Sequence, residues 1–200
     1  MSMAIPYEAS GRTQQKARTR KALVDAARQL LATGVTPTVE QAADAASIAR
    51  ATAYRYFRNR RELLVATYPE LDEPSLLEAH AELSDPVARL DAVARSLTRQ
   101  MVEHEPELRA MLRLSLEPDP AERADLPLRK GRRITWVADA LAPLRGEFPK
   151  RDFERLVHAI AASLGIEALV WLTDIAGLTR DAAADVMCWS AGAMLRAALS

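Results

Sequence analysis

The chain has 200 residues, 49% apolar and 27% charged, with equal numbers of acidic and basic side chains. That is ordinary globular composition, and one or two domains fit the length. The one cysteine, Cys188, excludes an intrachain disulfide framework and a multi-cysteine zinc site. No N-terminal apolar run has the form of a signal peptide. No apolar stretch reaches the roughly 18–20 residues of a membrane span. A soluble cytoplasmic protein without membrane association is therefore expected. Glycine, aromatic and β-branched residues are scarce while Ala, Leu, Arg and Glu abound, which favours an all-α fold.

The zero net charge hides a division. Residues 1–65 carry eleven Lys/Arg against five Asp/Glu, a surplus of +6, so the remainder carries −6. A basic head on an acidic body points to a polyanionic partner for the head.

In chain order, residues 1–12 hold Pro6 and Gly11, lack periodicity, and read as a disordered arm. From Thr13 to Thr33 apolar residues recur at 23, 24, 27, 30 and 31, which is helical spacing, and Gly34 supplies a stop. Thr38 with Gln41 fits a capping box, with Thr36-Pro37 as a rival start. A short helix ends near Ala45, "ASI" makes a tight connection, and a second short helix covers about 49–57. A longer helix then starts near Arg60. Two short helices so joined form a helix-turn-helix. Beyond Pro69 and Pro74 the chain reads as helical throughout. Helices are expected from Pro86, after Pro106, over 128–145, over 152–176 and over 179–199, the last two joined at Gly177, with a loop over "EPDPAERADLP".

"ATAYRYF" (51–57) places three of the ten aromatic rings in seven residues, with Arg55 among them. In a helix-turn-helix the second helix enters the major groove. Arg50 can chelate guanine, and Thr52 can meet a base or a thymine methyl. Ala51 permits close approach, and Tyr54 shares that face. Tyr56 and Arg60 suit phosphates. Phe57 and Ile48 are the expected buried anchors.

The segment "TVEQAADAASIARATAYRYFRNRRELL" (38–64) resembles the DNA-binding signature of the tetracycline-repressor (TetR) family of transcriptional regulators. Thr38, Val39, Ala43, Ala46, Thr52, Tyr54, Tyr56, Phe57 and Leu63 match without a gap, and Arg60 keeps the charge of a usual lysine. The chain departs at Ala42 for an isoleucine, at Ser47 for the turn glycine and at Ala49 for the capping serine. The resemblance implies a three-helix DNA-binding domain over 13–68 and a helical effector-binding and dimerisation bundle over 69–200. It implies a regulator, expected to be a repressor, that leaves a palindromic double-stranded operator when a small effector binds. It further implies DNA contacts from Thr38, Arg50, Ala51, Thr52, Tyr54, Arg55, Tyr56 and Arg60, with Arg18 and Arg20 in a phosphate-gripping arm.

For the bundle, a homodimer seam is expected along the last two helices, whose Ala161, Ala162, Gly165 and Ala168, and Ala183, Ala191, Gly192, Ala193 and Ala197, allow close approach. Leu97, Met101, Met111, Leu114, Trp136 and Trp171 are the candidate effector-pocket residues. No Gly-rich phosphate loop, Ser-His-Asp arrangement or paired carboxylates occur, so neither an enzyme nor a cofactor is expected. His80, His104 and His158 have no ligand spacing with one another or with Cys188, so no metal site is expected. The competing classes are an α-helical enzyme and a protein–protein adaptor with a chance helix-turn-helix.

Overall fold

The computed structural model describes residues 7–68, 75–116 and 131–200, with side chains from residue 13 onward. The described residues are helical with no strand, and the chain divides into two compact units, Met1–Pro69 and Glu70–Ser200.

The first unit holds α1 (Tyr7–Ala32), α2 (Val39–Ala45), α3 (Arg50–Tyr56) and α4 (Arg60–Thr67). The arm expected to be disordered through residue 12 is instead helical from Tyr7. Gly11 costs a helix interior only about 1 kcal/mol relative to alanine, too little to stop a helix that continues through good helix formers. Residues 1–6 lie outside the described residues. At the other end Gly34 adopts φ +83° and the chain turns as Val35 N–H donates to the Leu30 carbonyl at 3.0 Å, a left-handed helix stop.

Leu23, Val24 and Ala27 of α1 meet Val39, Ala42 and Ala43 of α2, Ala53 and Phe57 of the α3 segment, and Leu63 of α4 in one core. Ala42 is fully buried where the family pattern carries isoleucine, so this core is thin. The Thr38–Gln41 capping box is formed in both directions, and the Thr36-Pro37 start is not used. Arg28 closes the unit by donating to the Thr67 carbonyl at the end of α4, at 3.1 Å.

The entry to α3 carries two local costs. Ser47 sits at φ +54°, and Ala49 occupies the N-cap with no side-chain hydrogen bond. Ser47 does not cap α3 from one turn earlier. Ser47→Gly removes the left-handed strain and should stabilise the unit by about 0.5–1 kcal/mol after the flexibility gained by the unfolded chain. Ala49→Ser should add about 1 kcal/mol through a new cap. Amide exchange of α2 and α3 reads both, and unchanged protection in the two variants would contradict this account.

The second unit holds α5 (Pro86–Glu103), α6 (Glu105–Ser115), α7 (Arg132–Ala140), α8 (Lys150–Ser163), α9 (Ile166–Val170), a π-helical turn (Trp171–Ile175) and α10 (Arg180–Leu199). Short 3₁₀ turns cover Glu78–His80 and Ala142–Leu144. The expected loop at "EPDPAERADLP" and the start of the helix placed at 128 lie outside the described residues. α10 packs on α5 and α8, α7 on α8 and α5, and α9 on α6.

The single helix expected over 152–176 is broken. α8 ends at Ser163, Gly165 is extended at φ −108° and ψ 161°, and the axis bends by 42° into α9. A Cβ at Gly165 would lie 2.2 Å from Arg133 Nη1 and from Glu167 Oε2, so the break lets those side chains close over a bare backbone. No single described helix is long and apolar enough to cross a membrane.

Glu105, buried at the start of α6, takes hydrogen bonds from Arg109 Nε at 2.7 Å and Arg180 Nε at 2.8 Å. Burial pushes its carboxyl pKa up, but the two guanidiniums outweigh burial and hold it below the usual range. Arg109 also grips Asp174 of the π-turn bidentately, at 2.6 and 2.7 Å. That grip, with Thr173, lowers the Asp174 pKa from 3.8 to about 2. Because the folded pKa is the lower one, the stabilisation is complete above pH 3.8 and is lost as pH falls through about 2. Asp174→Asn should flatten acid destabilisation of this unit in that window, measured as denaturant midpoint against pH. An unchanged slope would refute the coupling.

Candidate nucleic-acid interface

The face of interest is built on the seven-residue helix α3. Ala53 and the following Phe57 point into the core at 0% and 2% exposure, and Ile48 packs against it from the connection. With one side so fixed, helical geometry turns Arg50, Ala51, Tyr54 and Arg55 outward. All four are exposed, Tyr54 at 41%, while Thr52 and Tyr56 are half-buried at the flanks. The three clustered rings thus divide between packing and exposure: Phe57 in the core, Tyr56 at its edge and Tyr54 outside.

The other cations expected to contact DNA, Arg18, Arg20, Arg55 and Arg60, are all exposed. Arg60 Nη2 donates to the Thr36 carbonyl at 3.0 Å, tying α4 to the segment before α2. The Arg20 guanidinium lies 5.4 Å from the Phe57 ring centroid, and with Tyr56 and Arg61 it lines a cleft of about 330 Å³. Arg20 therefore belongs to the edge of the reading helix as well as to the arm. Thr38 is half-buried and its oxygen accepts the Gln41 amide at 3.2 Å, so its first role is capping.

Two acidic residues on α2, Glu40 and Asp44, were not anticipated. Their i, i+4 spacing sets both carboxylates on one helix face, but nothing in the sequence says what that face meets. Asp44 Oδ2 accepts from Arg50 Nη2 at 3.1 Å, and Glu40 accepts the Tyr54 hydroxyl proton. The Tyr54 bond holds Glu40 below the usual carboxylate range and raises the phenol of Tyr54. The outward donors of α3 are thus oriented from α2 without DNA present.

The candidate effector residues are placed differently. Leu97, Met101, Met111, Leu114 and Trp136 are buried in the second unit's core, and Trp171 is 58% exposed. Trp171 opens the π-turn, and two residues past buried Leu169 it lies on the opposite, exposed side of the helix. None of the six lines the cleft of about 660 Å³ between α7 and α8, which is walled by Ile134, Phe148, Phe153 and Val157 and rimmed by Arg145, Lys150, Glu154 and His158. Among the described residues no group of three or more His, Cys, Asp or Glu is arranged to hold a metal ion.

A tight two-helix turn with one buried side and a cationic, ring-bearing outer side defines a helix-turn-helix DNA-binding protein. Residues 23–67 match the family model of bacterial regulatory proteins of the tetR family. The first unit therefore carries a tetR-type DNA-binding domain, that of a DNA-binding transcriptional regulator. Its fold is similar to that of a Clostridium perfringens candidate regulator of fatty acid metabolism, with a TM-score of 0.56, 19% identity, and 84% and 94% of the two chains covered. It is likewise similar to Thermus thermophilus FadR, a TetR-family transcriptional repressor solved with lauroyl-CoA, with a TM-score of 0.56, 22% identity, and 84% and 90% covered. No curated protein gave a significant sequence match.

Proposed function

We propose that the protein is a homodimeric repressor, not an enzyme, that holds a palindromic operator through α3 of each copy and is released by a small effector. The observation that carries the reading is the exposed arc of Arg50, Ala51, Tyr54 and Arg55 on a helix anchored by Ala53 and Phe57. Arg50, Ala51, Thr52 and Tyr54 are assigned to base edges. Thr38, Arg55, Tyr56, Arg60, Arg18 and Arg20 are assigned to the sugar–phosphate backbone.

Dimerisation is supported by α10, which is apolar on two sides. Ala183, Met187, Ala191 and Leu195 are buried within the unit, while Val186 and Trp189 remain exposed at 38% and 68%. Trp171 and Ile175 add 58% and 72% exposed apolar side chains. Large apolar side chains left exposed on a folded unit are what an interaction surface requires. The small residues divide accordingly: Ala161, Gly165, Ala183 and Ala191 face inward, whereas Ala162 and Ala197 are exposed and could join the seam.

For the effector, the cleft between α7 and α8 offers the volume of a small-molecule site. Its apolar walls, with Arg145 and Lys150 beside a single carboxylate, Glu154, at the rim, suit a ligand with an apolar body and an anionic head, the chemistry of the lauroyl-CoA bound by FadR.

A gel shift against the chain's own promoter region, repeated over a salt series, tests the function. Six to ten phosphate contacts should cost about 10³–10⁵ in affinity between 50 and 200 mM salt. A flat salt profile would exclude the basic face as the contact surface. An adaptor would bind no duplex, and an enzyme would show turnover.

A further inference from the structure

The Tyr54 hydroxyl carries one proton and two lone pairs. In this structure the proton is committed to Glu40 Oε1 on α2. What Tyr54 shows to an approaching duplex is therefore a hydrogen-bond acceptor. Phosphate oxygens are acceptors as well, so a phenol held in this way makes no hydrogen bond to the backbone. Base edges differ: in the major groove adenine N6 and cytosine N4 are donors, whereas guanine O6 and N7 and thymine O4 accept. Arg50, one turn earlier on the same face, has the opposite polarity. It is donor-only, and a single nitrogen, Nη2, is engaged by Asp44 at 3.1 Å, which leaves the rest of the fork for guanine.

We propose that Glu40 is a specificity-determining residue: by accepting the Tyr54 proton it makes Tyr54 a reader of an amino-bearing base, adenine or cytosine, and not a phosphate grip. This rests on the reading of α3 as the groove element. The Glu40 charge has a second effect of the same sign, since a carboxylate beside α3 repels backbone phosphates and lowers affinity for arbitrary sequence. Glu40 thereby exchanges general attraction for discrimination at one base pair.

The test is selection from a randomised duplex pool with the full-length chain, for the wild type, Tyr54→Phe, Glu40→Ala and Glu40→Gln. Tyr54→Phe and Glu40→Ala should each lose, at the same position of the half-site, a preference for adenine or cytosine of about 2- to 10-fold, the range of one hydrogen bond. Tyr54→Phe should leave affinity for a scrambled duplex unchanged, because no phosphate contact is lost. Glu40→Ala should raise that affinity, having lost a carboxylate and freed a phenol proton. Glu40→Gln keeps an acceptor for the Tyr54 proton without the charge, so it should raise scrambled-duplex affinity yet retain the base preference. Preferences unaltered in both Tyr54→Phe and Glu40→Ala would overturn the assignment. So would a Tyr54→Phe protein that binds all duplexes more weakly by one common factor. Wild-type protein that selects no sequence at all would overturn the reading of α3 itself.

Discussion

Phe57→Ala should destabilise the first unit by about 3–5 kcal/mol, the range for deleting a buried aromatic ring. Phe57 is 2% exposed and shares its core with four alanines, Ala27, Ala42, Ala43 and Ala53, which cannot reach into the space it would leave. The substitution also removes the platform under the Arg20 guanidinium. Trp136, Trp171 and Trp189 all belong to the second unit, so tryptophan fluorescence is silent on this event. Amide exchange over residues 23–67 reads it: protection of α2 and α3 should collapse in Phe57→Ala and largely survive in Phe57→Leu. Protection close to that of the wild type in the alanine variant would show that α3 is held by something other than this ring.

Arg50→Ala should weaken operator binding by about 5- to 150-fold and relax sequence preference at one guanine of each half-site. Arg50 is exposed and its partner Asp44 is exposed, so the variant folds normally and the loss lies in recognition. Its salt dependence should stay near that of the wild type, because a base contact releases few counterions. Arg55→Ala provides the contrast: a shallower salt slope with base preference intact. If Arg50→Ala lowered affinity for every duplex equally, Arg50 would be a phosphate contact and the register of α3 in the groove would need revision.

Much of the first unit was legible in the sequence because its signals are local. A threonine three residues before a glutamine closes on itself whatever surrounds it, and the capping box at Thr38 and Gln41 is present. Gly34 stops α1 because a residue without Cβ takes φ +83° freely. The departures at Ser47 and Ala49 correctly marked a strained and uncapped entry to α3. What stayed hidden depends on side chains distant in sequence. The break at Gly165, where Arg133 of another helix closes over the backbone, is not marked locally, because the apolar periodicity of the segment runs on across it. The π-turn that begins at Trp171 has no compositional mark, and its Asp174 is pinned by Arg109, 65 residues earlier. Glu40 and Asp44 carry no local mark of their partners, Tyr54 and Arg50, which close on them from the next helix. The start of α1 at Tyr7 is masked by Gly11, a single unfavourable residue that costs little against a long helix.

The fully buried methyl of Ala53 lies on the inner side of the helix that carries Arg50 and Tyr54. Helices separated by methyl groups have no rotamers with which to absorb an insertion, so one added methylene beneath α3 must be accommodated by tilting the helix. Such a tilt sweeps the outer side chains across the bases by more than it disturbs the interior. Invisible alterations at this floor would therefore surface as changed operator choice, giving the lineage a way to retune its targets without replacing any residue that touches them.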